Sequence, residues 1–255
     1  MKIALIILIL SQSVLASNDW GQNGHRSVGK TAEHYLKSKV KSKIDRILNG
    51  QSLADASTYA DEIKSDDDYD KYKPWHYANI PFDKTYVEIE RNSEGDIVFG
   101  IQECMKKLKA DTLDEDEERF YLKMLIHLVG DMHQPLHFGL KSDRGANDFK
   151  VKWFNQPTNM HRVWDTQMIE SYNMSYSELS NNLPKLNREV VKNIKSGSLL
   201  DWVEENRELT RAVYNSASAD ENLSYRYMNE WFDVLKMQIN KAGIRLAALL
   251  NNIYA

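Results

Sequence analysis

A single cysteine, Cys104, stands in 255 residues. The chain therefore cannot close an internal disulfide, and its stability must come from core packing and from any bound metal. A basic excess is also missing: Lys and Arg total 33 against 37 Asp and Glu, a net charge of −4. That balance excludes a protein that grips duplex phosphates along a basic stripe. It leaves room for a phosphate-handling enzyme whose positive charge comes from bound ions. Repeats and low-complexity tracts are absent, and no composition shift divides the chain. One large domain with a substantial core is expected at this length.

The N-terminus, MKIALIILILSQSVLA, reads as an address. Lys2 is followed by an apolar run over 3–10 and a small-residue exit at Ala16. The run is short for a membrane span. A secretory signal peptide is expected, with a secreted or periplasmic product and no membrane anchor. Cleavage after Ala16 would leave Ser17, Asn18 and Asp19 ahead of Trp20.

Helical periodicity fills most of the remainder. Apolar residues recur at helical spacing over 28–48, 120–129, 175–191, 199–213 and 227–250. In the last stretch Trp231, Val234, Leu235, Ile239 and Ile244 form one stripe, the mark of a core-facing helix. The expected fold class is all-α, a single mainly helical domain. Two stretches break the pattern. SDDDYDKYKP at 65–74 reads as an acidic, solvated loop. DRGANDFKVKWFNQPTN at 143–159 alternates polar and apolar residues and turns at Asn155-Gln156-Pro157, giving a small hairpin near 149–159.

HLVGDMHQPLH, 127–137, holds three of the chain's seven histidines. His127 and Asp131 are four residues apart, so on a helix they share a face. Pro135 ends or kinks that helix and redirects His137. His161 and Asp165 repeat the spacing in MHRVWD. Either pair alone is as well explained by a helix-surface ion pair worth a few tenths of a kcal/mol. Asp61 in ASTYADEI, His76 in PWHYANIP and His25 in WGQNGH enlarge the set to five imidazoles and three carboxylates. Nitrogen and oxygen donors without thiolate suit zinc, and the Glu-x-x-His layout of a di-iron bundle is missing. Eight side chains exceed one tetrahedral ion and point to a cluster with positions open to water and substrate. His133 is two residues from Asp131 and faces away, so it reads as a packing or orienting residue. His34 reads as surface.

WGQNGH, YADEI, PWHYANI, HLVGDMHQPLH, DRGAND and HRVWDT, in this order, resemble the type I nucleases. These are zinc-dependent, single-strand-specific nucleases that share the helical fold of bacterial zinc phospholipase C. The resemblance runs from Trp20 to the C-terminal AGIRLAALLN. It implies a leader over 1–19 and a nuclease domain over 20–255. It also implies three zinc ions. The first would be held by Asp61, His76, His127 and Asp131, and the second by His137, His161 and Asp165. The third would sit on His25, a shared oxygen of Asp131, and the α-amine and carbonyl of Trp20, which makes Trp20 the mature N-terminus. The implied substrates are single-stranded DNA and RNA, cut at the 3′-O–P bond to leave 5′-phosphates, and 3′-nucleotides. No stable protein partner is implied, and the chain is expected to be a monomer.

Asp61, Lys64 and Asp131 are the expected catalytic residues. Lys64 stands where relatives place an arginine; it can neutralise a phosphoryl oxygen but cannot grip it bidentately. A solvated surface lysine is the alternative. The base pocket falls on Tyr77, which can stack on any base, and on Asn79, which alters the hydrogen-bonding face. Asn147 is expected to orient a ligand of the second zinc, and Ala146 replaces a frequent glycine. A phospholipase C of the same fold is the nearest alternative, although its last ligand is usually a glutamate where this chain has Asp165. A non-catalytic zinc-storage protein is a further alternative.

Overall fold

The computed structural model describes residues 21–110 and 112–255. The expected signal peptide, its cleavage point and Trp20 lie outside the described residues. Helices make up the architecture, as expected. They begin with α1 (Gln22–Glu33), α2 (Ser38–Ile47), α3 (Leu53–Ala56) and α4 (Tyr59–Glu62). A 3₁₀ helix over Asp67–His76 leads to α5 (Ile97–Lys109) and α6 (Glu115–Asp131). A 3₁₀ turn at Pro135–Phe138 precedes strands β1 (Lys150–Trp153) and β2 (Gln156–Asn159). Next come α7 (Met160–Arg162), a π turn at Val163–Gln167 and α8 (Met168–Ser171). The chain closes with α9 (Tyr176–Asn181), α10 (Arg188–Lys195), α11 (Leu199–Tyr214), β3 (Asn222–Leu223) and α12 (Tyr225–Ile253).

Helix α6 is the axis of the fold. Asp114 caps it by accepting from the amides of Asp116 and Glu117, and Glu117 closes the box on the Asp114 amide. Acidic residues crowd that first turn, where the helix dipole favours them. From Met124 to Asp131 every residue is buried, because α1, α5 and α12 pack around this half. A helix buried on all sides needs apolar residues all round, and Met124, Leu125, Ile126, Leu128 and Val129 supply them. Each such side chain contributes roughly 1.5–3 kcal/mol on leaving water. The polar exceptions are His127 and Asp131, carried into the core by the same helix.

Helix α12 lies against α1. Contact is close because Gly243 lacks a side chain: a Cβ there would fall 2.6 Å from the Thr31 Cβ. Leu235, Ile239 and Ile244 of the expected stripe are buried, and Trp231 and Val234 pack half-buried at its edge. Among the described residues no helix is long and apolar enough to cross a membrane.

Three expectations change in detail. The periodic stretch 28–48 is two helices, broken where Asn251 of α12 takes both exposed backbone groups: it accepts from the Lys37 amide at 2.9 Å and donates to the Tyr35 carbonyl at 3.0 Å. The stretch 175–191 is likewise α9 and α10, interrupted ahead of Pro184, whose carbonyl accepts from Asn240 at 2.8 Å. The acidic stretch 65–74 coils into the 3₁₀ helix that delivers His76.

The hairpin is present with its turn one position earlier than expected. Phe154 and Asn155 have φ of 48° and 67°, the positive pair of a two-residue primed turn. Pro157 lies within β2 opposite Lys152. No amide is needed at that position, because the Lys152 N–H is directed at the Glu221 carbonyl on the other side (2.8 Å). There β3 adds in parallel, giving the order β2-β1-β3.

Candidate metal centre

Three groups of His and Asp side chains converge: His25, His127 and Asp131; Asp61, His76 and His127; and His137, His161 and Asp165. Within each group the ligand atoms lie within 4.8 Å of one another. Asp131 and His127 join the first two. Asp131 Oδ2 is 2.8 Å from His76 Nδ1 and 3.0 Å from His127 Nε2, while its Oδ1 is 3.2 Å from His25 Nε2. Asp61 Oδ1 is 3.4 Å from His127 Nε2 and 2.9 Å from Lys64 Nζ. In the third group His161 Nε2 is 3.0 Å from Asp165 Oδ2, and His137 Nε2 is 3.7 Å from Asp165 Oδ1. Asp131 and Asp165 are 0 and 1% exposed.

Backbone carbonyls fix the ring orientations. His127 Nδ1 meets the Ser57 carbonyl at 2.7 Å, His137 Nδ1 the His76 carbonyl at 2.7 Å, and His161 Nδ1 the Gly145 carbonyl at 2.6 Å. Each Nδ1–H donates outward, so each Nε2 presents a lone pair to the carboxylates when the ring is neutral. A lone pair facing a buried carboxylate oxygen at 3.0 Å needs a proton or a cation between them. The donor set therefore fits divalent metal.

The metal-free protonation pattern agrees with this. Burial lowers the His127 pKa, but the charges of Asp131 and Asp61 outweigh it and carry the imidazole up to about 9. His161 is raised too: burial opposes, and the Asp165 charge prevails. Asp131 and Asp165 stay below the ordinary carboxylate range, since the imidazoles beside them overcome their burial. His76 goes the other way, down to about 4, through burial and then the Lys64 charge.

Between Asp131 and His137 the chain leaves the helix, and its carbonyls are satisfied from α11 and α12. Asn206 donates to the carbonyls of Met132 (3.0 Å) and Gln134 (3.3 Å), Gln238 to that of His133 (2.9 Å), and Thr210 to that of Pro135 (2.6 Å). Gln134 turns its amide inward and donates to Asp165 Oδ1. Its place inside HLVGDMHQPLH was visible, but an uncharged amide in a turn carried no chemical signal. The π turn brings Asp165 to His161; such turns gather at functional sites.

The other expected residues fall as follows. His133 donates from Nδ1 to the Val129 carbonyl (2.8 Å), and its Nε2 is 3.1 Å from Arg245. Burial and then the Arg245 charge keep it neutral, so it braces the turn from behind. His34 is exposed. Tyr77, 45% exposed, and Asn79 line a cavity of about 470 Å³ with His137, His161 and Asn147. Lys141 and Arg144 stand on its rim. Asn147 donates to the Arg144 carbonyl at 2.9 Å, so it pins the loop that carries Gly145 and acts on His161 through that loop.

Residues 20–255 match the family model described as S1/P1 Nuclease. Endonuclease 3 of Arabidopsis thaliana is 31% identical over 98% of this chain and 94% of its own length. Nuclease S1 of Aspergillus oryzae is 29% identical, with 92 and 91% covered. Nuclease P1 of Penicillium citrinum is 26% identical, with 92 and 98% covered. The chain belongs to the S1/P1 nuclease family. It is a nuclease, a hydrolase of the phosphodiester bonds of nucleic acid, the activity expected from its motifs over the phospholipase and storage alternatives.

Proposed function

We propose that this chain is an exported, zinc-dependent endonuclease that hydrolyses the 3′-O–P bond of single-stranded DNA and RNA. It leaves 5′-phosphates and also removes the phosphate of 3′-nucleotides. The observation that carries the reading is the set of three His/Asp groups, two of them sharing His127 and linked by Asp131, beside a cavity walled by a half-exposed tyrosine. Asp61, His76, His127 and Asp131 hold one ion, and His137, His161 and Asp165 a second. His25, Asp131 and the N-terminal residue, Trp20 after trimming, hold a third.

When bound, the ions supply positive charge against phosphate oxygens and acidify water, which a chain of net charge −4 does not do through a basic stripe. The side chains position everything else. Asp131 sets the spacing between neighbouring ligand groups through its two oxygens. Lys64, held on Asp61, places a point charge beside the phosphoryl group. Tyr77 stacks on a base and Asn79 meets its edge, both of which require a base out of the duplex; single-strand preference follows.

The test is release of acid-soluble nucleotides from heat-denatured DNA by metal-loaded protein. Release of 5′-phosphates that disappears in Asp131→Ala is expected. Metal-loaded protein that releases nothing refutes the reading. Intact mass of the exported protein is expected to begin at Trp20, and Ser17 at the start would refute the trimming.

A further inference from the structure

A second concave surface lies outside the metal groups. It encloses about 440 Å³ and is walled by Tyr59, Tyr69, Tyr72, Phe120 and Tyr121. The rings form one platform. Tyr69 stacks on Phe120 at 6.0 Å, Tyr72 lies 5.0 Å from Phe120, and Tyr59 meets it edge-on at 6.2 Å. All five are only partly buried.

Charges of both signs line this surface, Asp116 and Glu117 beside Arg119 and Lys123, and lysines lie over three of the rings. Lys123 Nζ lies 4.8 Å from the Tyr59 ring centre, Lys71 4.9 Å from Tyr72 and Lys107 5.8 Å from Tyr121. Among the acids on the same two helices, Asp116 pairs with Arg119, Asp70 pairs with Lys73 and Glu117 closes the α6 cap, while Asp66, Asp67, Asp68, Glu115 and Glu118 stand at the helix starts. Lysines already seated over the ring faces oppose a cationic ligand and suit an anionic one with a flat apolar part.

The groove is built on the same elements as the metal centre. Tyr59 shares α4 with Asp61, and Tyr69 and Tyr72 share the 3₁₀ helix with His76. On α6, Lys123 is one turn before His127, and Phe120 precedes His127 by about 10 Å of helix rise. At about 3.4 Å per stacked nucleotide, that is about three nucleotides of a strand.

We infer that this groove is a subsite for a base of the single-stranded substrate, a few nucleotides from the bond that is cut. The base stacks on Tyr69 and Phe120, and the adjoining phosphate meets Lys123. The inference rests on the nuclease reading and adds a second point of grip to it. Sequence-tolerant stacking beside a cation is how single strands are held without base readout.

The test compares the dinucleotide TpT with octathymidylate as substrates for the metal-loaded protein. Tyr69 is the position to change, because Phe120 also packs against the core. In Tyr69→Ala, KM for the octamer should rise at least about fivefold, the lower end of base–aromatic stacking. Both kcat and the dinucleotide KM should stay at their wild-type values, and Tyr69→Trp should restore the octamer. An unchanged octamer KM overturns the inference. So does an equal rise for both substrates, which would mean a displaced His76. Fluorescein-labelled octamer, followed by anisotropy, separates the two readings. If the wild type binds it more tightly than Tyr69→Ala yet cuts nothing, the nuclease reading fails and the groove stands. If the wild type cuts it and the variant is indistinguishable, the groove fails alone.

Discussion

Gly130 leaves the space that the His25 ring fills. A Cβ at Gly130 would lie 2.7 Å from His25 Nδ1 and 3.1 Å from its Cε1. The ring cannot retreat freely, since its other face stacks on His127 at 3.9 Å. A glycine inside a helix ordinarily costs about 0.5–1 kcal/mol relative to alanine. Gly130→Ala should therefore have stabilised α6, and here the sign reverses. Melting temperature should fall, and metal analysis should show loss of the ion proposed for His25. A higher melting temperature with full metal content would refute the steric argument.

Metal removal should destabilise the fold as a whole. Three groups are built on the buried half of α6 and the segments around it, so stripping them leaves carboxylates and imidazolium ions facing one another in the core. A ligand present at about 100 times its Kd contributes about 2.7 kcal/mol. In a chain of this size that corresponds to a fall of about 5–11 °C in Tm on chelation. The His127 imidazole, near 9 without metal, is protonated at about pH 7 and must lose that proton to ligate. Adding zinc to stripped protein in weak buffer should release protons, and apparent affinity should weaken as pH falls. Binding without proton release would contradict the assignment of His127.

The convergence of the candidate ligand residues was legible because chemistry and period coincide in them. His127 and Asp131, like His161 and Asp165, combine a metal-binding type with a one-turn spacing, and both pairs lie at 3.0 Å. What holds them in place was not legible. Asn206, Thr210 and Gln238 look in sequence like scattered polar positions on α11 and α12; only the fold brings them to the carbonyls of 132–135. Helix breaks were hidden for the same reason. Nothing near Tyr35 to Lys37 signals a stop as glycine or proline would, and the break is completed by Asn251 from the far end of the chain.

Acid should weaken the bracing of the 132–135 turn. Arg245, which contacts His133, is held by Glu205, and Lys241 binds the same carboxylate. Burial pushes the Glu205 carboxyl upward, but the hydrogen bonds from Lys241 and Arg245 outweigh it and leave the pKa below its ordinary 4.5. A depressed folded pKa gives stability that is complete above the unfolded value and is lost as pH falls through the folded one. Glu205 is partly exposed, so solvent limits the effect. Glu205→Gln should melt below the wild type at about pH 6, and the difference should close towards about pH 3. A gap that persists unchanged in acid would show that the carboxylate charge is not its source.

Gln134 ties the turn to the candidate ligand group of His137, His161 and Asp165. Its amide donates to Asp165 Oδ1, and its oxygen accepts from the Leu136 amide, so one side chain fixes both a ligand and the approach to His137. Gln134→Leu keeps most of the bulk and removes both bonds. Partners of this kind, one step behind a ligand, are worth about 10–100-fold in metal affinity or activity. The loss should fall on the ion held by His137, His161 and Asp165, with that metal released at a lower chelator concentration than the others. Helical content should stay at the wild-type level, because Asn206 and Thr210 still hold the turn's carbonyls. Equal loss of all the metals would instead mean that the turn itself had collapsed, and Gln134 would then be a packing residue with no part in aiming Asp165.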